Sequence, residues 1–308
     1  MYSSRNRPYE FEGGNLATAP GPTPDNAYLW DRLDRAGIAY RNYGFWLAGP
    51  GRVASTAPRL AEHTDLQYPG YDLSVSDQAR VDAWLVEFGQ FVDEGNLPTV
   101  ELVRLPNDHT AGTRPGSPTP RAYVADNDLA LGRLVEAVSS SPFWAETAIF
   151  VLEDDAQNGP DHVDAHRTEA LIISPYTQTG AVDSTFYSTS SMLRTIELIV
   201  GLPPMTQFDA AATPMLNSFS DTPDLAPYTA IVPDQALDEV NAVDAPLAAE
   251  SLSMDLSAED RAPAEVLNVA IWKSVRGSSS EMPQARTSYR APAAPQTRSD
   301  RRDDDLDE

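Results

Sequence analysis

Apolar positions along the chain change from helical spacing to unbroken runs and back. From Asn26 to Ile38 (NAYLWDRLDRAGI) Leu29, Trp30, Leu33 and Ile38 share one helical face, and Gly37 is placed to close it. The aromatic stretch AYRNYGFWLAGPG then reads as a strand and turn, and residues 51–75 as a long loop carrying His63. Ser76 opens a longer helix, SDQARVDAWLVEFGQFVDEGN, with Val81, Trp84, Leu85, Phe88 and Phe91 along one side. Beyond Gly95 short apolar strands alternate with helices. Strands are expected at Thr99–Leu105, Thr147–Leu152 and Ala170–Ile173, and helices at Tyr123–Ser140 and Ser190–Val200. Strands without polar alternation, separated by helices, predict an α/β fold with a mainly parallel sheet covered by helices on both faces.

Organisation follows from the same pattern. Residues 1–24 are polar and rich in Pro and Gly, an irregular lead-in, and 25–222 form the α/β domain. After about residue 222 the composition shifts to Pro, Ala, Asp and Ser. A helical extension over 223–276 is expected, with helices near Pro233–Asn241 and Ala258–Val275, and residues 277–308 read as a disordered acidic tail. Trp84, Phe88, Trp144 and Met192 stand at core spacing and are expected to pack.

Charge changes the picture more than length does. The 308 residues carry 22 Lys and Arg against 46 Asp and Glu, a net charge of −24, and Lys273 is the only lysine. Such a surface repels nucleic acid and anionic membrane, which disfavours both as partners; neither nucleic-acid binding nor stable membrane insertion is expected. It fits either a proteome kept acidic for high internal salt, where self-repulsion is screened, or acid clusters that bind cations. There is no cysteine, hence no disulfide and no thiolate metal site, and this leaves the compartment open. No run of about 18 apolar residues exists to span a membrane. The opening MYSSRNRPYEFEGGN lacks the apolar core of a signal peptide, so a soluble chain without an address label is expected.

Ligands in open α/β sheets sit at the carboxyl ends of strands. Here TVELVRL runs into Pro106-Asn107-Asp108-His109-Thr110. TAIFVL runs into Glu153-Asp154-Asp155, followed by Asp161-His162-Val163-Asp164-Ala165-His166-Arg167. Three of the four histidines therefore fall in two strand-end loops, each beside an aspartate. Adjacent carboxylates raise each other's pKa unless a cation neutralises them. Imidazole with carboxylate suits zinc, manganese or iron; carboxylates alone suit magnesium or calcium. Two ions about 4 Å apart can clamp the attacking and leaving oxygens of a phosphoryl displacement. Taken singly, Glu153–Asp155 reads equally as a solvated loop, and Asp161–His166 as a helix cap with an exposed histidine pair. Taken together they point to a metal or phosphate site. His63 has no partner in sequence and reads as a surface residue. Arg104, Arg114, Arg121 and Arg167 flank the clusters and could grip an oxyanion bidentately or pair with nearby acids; Arg167 is the nearest candidate.

At these residues the chain resembles a known family. LPNDHTAGTRPG, AYVADNDLALGRLVEAV, FWAETAIFVLEDDAQNGPDHVDAHRTEALIISPYT and STSSMLRTIELIVGLPPMTQFDAAATPM are similar to the phosphoesterase family, which includes phospholipases C and acid phosphatases and has the alkaline-phosphatase-like fold. The nearest likeness is to a bacterial branch in which this domain follows a β-propeller of YVTN-type repeats. The resemblance spans roughly residues 5–275 and is densest over 100–220. It implies hydrolysis of phosphate esters, on a small molecule or lipid headgroup, with one or more divalent ions: zinc, manganese, iron, magnesium or calcium. The metal-binding acids of the family map onto Asp154 and Asp155, the downstream pair onto Asp161 and His162, and the earlier histidine onto His109; Asp108 and His166 stand beside these as further ligands. His109 and His162 are the expected catalytic imidazoles, with Arg167 toward the phosphate. The family's upstream Glu-Asn metal pair and Ser or Thr nucleophile have no counterpart here, and no Glu-Asn dipeptide occurs. A domain incomplete at its N-terminal side is therefore expected. The alternative is a catalytically incompetent metal- or phosphate-binding partial domain that assembles with another chain carrying the first half.

Overall fold

In the computed structural model, residues 28–47, 60–154, 159–257 and 261–286 are described. Helix α1 (Leu29–Ala36) starts where the Asp31 carboxylate accepts the Tyr28 amide at 3.1 Å. It ends at Gly37, whose φ of 66° lets Ile38 bond back to the Leu33 carbonyl. Strand β1 (Tyr40–Tyr43) follows directly. Helix α2 (Asp77–Glu94) is capped by Ser76 Oγ accepting the Ala79 amide and closed by Gly95. Strand β2 (Val100–Val103) pairs in parallel with β1, Tyr40 opposite Val100. Helix α3 (Pro120–Ser139), capped by Thr119, packs along α2. Strands β3 (Ile149–Leu152) and β4 (Ala170–Ile173) pair with each other. Helices α4 (Thr189–Ile199), α5 (Gln207–Ala210), α6 (Ala248–Ser253) and α7 (Ala264–Arg276) complete the described chain.

The main core lies under α2 and α3. Trp84 and Phe88 stack at 4.4 Å and meet Tyr43, Tyr68, Leu134, Val138 and Trp144. Ile149 of β3 and Ile173 of β4 pack on the same cluster, so both strand pairs share one interior. A second cluster joins α1 to the parallel pair through Leu33, Tyr40, Leu60, Val100 and Leu202. Trp84, Phe88, Trp144 and Met192 are buried, as their spacing predicts.

Two sequence expectations are corrected. The chain is α/β, but among the described residues the sheets are two strand pairs, and β3–β4 is antiparallel. The described residues between them, 153–154 and 159–169, form no crossover helix, and an antiparallel return needs none. Leu152 and Leu171 are exposed, so the unbroken apolar runs do not report cover on both faces. No helix forms over 233–241. That segment is drawn out alongside the start of α3, with Thr119 N bonded to Glu239 O and Asn241 N to Ser117 O. The Asn241 amide donates to the carbonyls of Gly112, Arg114, Ser117 and Pro118, and these bonds replace the ones a helix would have supplied.

The extension is thereby knitted into the domain. Gly112, at φ 59°, would drive a Cβ to 2.9 Å from Ser251 Oγ of α6 and 3.2 Å from Leu267 of α7. Ser251 Oγ in turn accepts the Thr113 amide at 3.1 Å. Residues 277–286 run without helix or strand to Arg286, whose carbonyl accepts the Ala165 amide at 2.7 Å. Residues 287–308 of the expected tail, and the lead-in over 1–24, lie outside the described residues.

Candidate functional site

Strand β2 delivers the chain into a tight turn, Asn107–His109, with a buried polar frame behind it. Asn107 is only 2% exposed. Its amide N–H donates to Asp77 Oδ2 (3.0 Å), its Nδ2 to Asp126 Oδ2 (2.9 Å) and to Val75 O (3.1 Å). Asp77 and Arg80 are fully buried and paired at 2.9 Å. Arg80 also donates to the carbonyls of Gly70, Asp72 and Val75, tying the 70–75 loop to α2. From α3, Asn127 reaches Asp77 Oδ2 (3.0 Å) and Leu105 O (2.8 Å). Burial pushes the Asp77 carboxyl up to about 6 in spite of Arg80, so it remains ionised at neutral pH.

The turn closes on Thr110 with φ 61°, a region a β-branched residue rarely enters. Such backbone persists only where its surroundings over-determine it, and here it fixes where Asp108 and His109 emerge. His109 Nδ1 donates to Thr110 O at 2.9 Å, which sets the tautomer in its neutral form and leaves Nε2 bare, the form a metal ligand needs. The Tyr71 ring meets its imidazole edge to face at 5.8 Å.

Asp108 differs from its neighbour. Its side chain reaches solvent yet is crowded by protein, as on the wall of a cleft. Its carboxyl is pushed up to about 7, first by desolvation and then by the charges of Asp154, Glu153 and Asp77. The ends of β2 and β3 are therefore close enough for Asp108, Glu153 and Asp154 to feel one another. Thr168 Oγ1 braces Glu153 through its carbonyl and its carboxylate.

The second loop organises itself separately. Asp161 accepts the amides of Val163 (2.6 Å) and Asp164 (2.9 Å) and pairs with Arg167 at 2.9 Å; the Val163 amide and then Arg167 hold its carboxyl below the usual range. His166 Nδ1 bonds Asp164 Oδ1 at 2.7 Å, and His162 is exposed. Arg167 is thus engaged with Asp161 rather than reaching out alone. His63 stacks on Tyr40 at 3.9 Å and approaches Asp34 at 3.4 Å, a partnered position its sequence context did not signal.

As donor types, the carboxylates of Asp108, Glu153 and Asp154 and the bare Nε2 of His109 suit a divalent ion. Among the described residues, however, no three His, Asp or Glu side chains meet closely enough to hold one. Asp155, the other acid expected there, lies outside the described residues. Sequence reasoning missed the buried frame of Asp77, Arg80, Asn107 and Asp126. Its one visible trace is the run of polar residues at Asp77 and Arg80 on the same helical face as Val81 and Trp84. A cavity of about 680 Å³ shares Asn107 and Asp126 with this frame but touches neither Asp108 nor Asp154. No curated protein matches the chain. The phosphoesterase family model matches residues 12–203, more than half of the sequence and the whole of both strand-end loops, and the chain belongs to that family.

Proposed function

We propose that this protein hydrolyses phosphate esters with the help of a divalent cation held at the ends of β2 and β3. Membership of the phosphoesterase family supports phosphate ester hydrolysis. The observation that carries the metal is the mutual electrostatic reach of Asp108, Glu153 and Asp154. A divalent ion bound there would polarise the phosphoryl oxygens and lower the pKa of an attacking hydroxyl or water. Asp108, Asp154 and Asp155 would supply its oxygen ligands. His109, presenting Nε2, would serve as a further ligand or take a proton from the nucleophile, with its orientation fixed by Thr110 O. Asp161, His162 and His166 would complete the ligand set from the second loop, and Arg167, paired with Asp161, would meet the phosphate from the rim. The alkaline-phosphatase-like architecture and the propeller-linked branch belong to this reading as further proposals.

A second reading has its own support. Strands β3 and β4 expose Leu152 and Leu171, and Val182 and Phe186 nearby are almost fully exposed. A two-stranded sheet with apolar side chains in water is marginal alone, which favours assembly with another polypeptide before the site can turn over. Turnover of an aryl phosphate, with chelator and with each of zinc, manganese, iron, magnesium and calcium, tests both. Metal-dependent release of the phenol that disappears in Asp154→Asn supports the first reading. Metal binding without turnover supports the second, and neither binding nor turnover would overturn both.

A further inference from the structure

The cavity behind the 107–109 turn is lined by charged groups that the described residues leave partly unanswered. It opens between residues 72–78, residues 111–118 and the segment around Asp238, and its volume of about 680 Å³ falls in the range of small-molecule sites. Arg114 lines it. Among the described residues its guanidinium makes no ion pair and no hydrogen bond, although the chain holds 46 acidic residues against 22 basic ones. An arginine left without an acid in so acidic a protein is available to an anion from outside.

Asp126 lines the same cavity and is 5% exposed. Both of its hydrogen-bond donors, the Asp77 amide (2.6 Å) and Asn107 Nδ2 (2.9 Å), go to Oδ2. Oδ1 accepts nothing among the described residues, yet it is absent from the sealed polar atoms that lack a partner, so it is open to the cavity. A carboxylate oxygen so placed calls for a donor, and a charged donor most of all. Asp72 and Asp238 also line it and add negative potential, which disfavours a plain anion, while Arg114, the one basic residue of the lining, supplies the counter-charge for an anionic group. The Ser117 hydroxyl and the Tyr123 ring supply the neutral part of the wall.

We propose that this cavity is a binding site for a small zwitterion, whose anionic group pairs with Arg114 and whose protonated amine bonds Asp126 Oδ1. The site is distinct from the carboxylates at the strand ends, because Asn107 is the one residue of the 107–109 turn that lines it. It is also coupled to them in structure: Asn107 lines the cavity, its side chain holds Asp126, and its backbone begins the turn that carries Asp108 and His109.

The test is calorimetric titration of the full chain in chelator, so that no metal site competes. The probes are two zwitterions, 2-aminoethylphosphonate and 4-aminobutyrate, and their half-ligands ethylphosphonate, butyrate and butylamine. At least one zwitterion is expected to bind roughly tenfold or more tightly than its half-ligands, and Arg114→Gln to weaken it by a similar factor. Among the described residues Arg114 bonds no other side chain, so this variant is expected to melt like the parent; Asp238→Asn, at the rim, serves as a second variant and should weaken butylamine more than butyrate. Zwitterions that bind no better than their half-ligands, no binding at all up to about 10 mM, or an affinity unchanged in Arg114→Gln would each overturn the proposal. Preference for the phosphonate over the carboxylate, or the reverse, identifies the anionic group.

Discussion

Asn107 and Asp108 are neighbours in sequence and sit in opposite electrostatic surroundings. Behind the turn, Asp77 and Asp126 are buried with Arg80 and Asn107, and the one full positive charge sealed in this frame pairs with Asp77 at 2.9 Å. In front of it, Asp108 is crowded by protein and faces the charges of Asp154 and Glu153, and it holds its proton up to about 7. The same residue type is a structural post in one place and an unanswered charge in the other. What separates them is the presence of an internal cation. Where the fold supplies one, a buried carboxylate stays ionised; where it does not, crowding and like charge hold the proton on.

Removing the internal cation should have the largest effect. Arg80→Met leaves Asp77 buried without its partner and frees the carbonyls of Gly70, Asp72 and Val75, at a cost of about 3–5 kcal/mol. Against a typical total stability of about 5–15 kcal/mol, urea denaturation should find the variant largely unfolded or close to it. Adding Asp77→Asn should restore part of the loss. A single-variant loss under about 1 kcal/mol would mean that the frame behind the turn is not what holds it.

Glu101 sharpens the contrast: it is half-buried on β2, and Arg41, opposite it on β1, is paired with Glu87 instead. Glu101 Oε2 accepts the Trp84 indole N–H at 3.1 Å, Oε1 has no partner, and burial pushes the carboxyl up to about 7. An unfolded glutamate ionises near 4.3. Between these values the folded protein keeps a proton the unfolded chain has released, so Glu101 costs stability progressively as pH rises through that window. Glu101→Gln keeps an acceptor for Trp84 and carries no charge. It should therefore gain about 1–3 kcal/mol at pH 8 and almost nothing at pH 4. An equal effect at both pH values, read from urea midpoints, would remove the charge from the explanation.

Smaller effects are expected at the front. Without metal, Asp108→Asn should raise Tm slightly, because it relieves repulsion from Glu153 and Asp154. Raising salt from about 0.1 M to about 1 M should narrow the gap between this variant and the parent as the Debye length falls from about 10 Å to about 3 Å. It should also raise Tm of both, given a net charge of −24. A variant less stable than the parent at low salt would show that Asp108 makes favourable contacts instead.

Much of the helical framework is legible in the sequence, because its signals are local. The caps at Ser76, Gly37 and Gly95, and the stripe Val81, Trp84, Phe88, fall where the chain places α1 and α2. The strands too are found within a residue or two, but their partners are not. Apolar runs such as IFVL and ALII carry no mark of direction, and β3 and β4 pair antiparallel with one face partly in water. The extended course of 233–241 depends on Ser117 and Thr119 more than a hundred residues away, so its own helical pattern misleads. The strand-end acids are legible as chemistry, since Asp and His gather after apolar runs. The frame behind them is not. Asp77, Asn107 and Asp126 meet across three elements, and an arginine such as Arg80, following Asp77 and Gln78 at the start of α2, gives no sign that it will be buried. Thr110 likewise conceals its positive φ, because threonine is the residue least expected there.

The decisive measurement is thermal melting of the parent and of Asp154→Asn in chelator, then with each divalent cation added to saturation. At least one cation should raise the parent Tm well beyond the shift an equal ionic strength of NaCl produces, and that increment should vanish in Asp154→Asn. If divalent cations act on the parent no differently from sodium, or raise both proteins alike, the acids at the ends of β2 and β3 hold no metal.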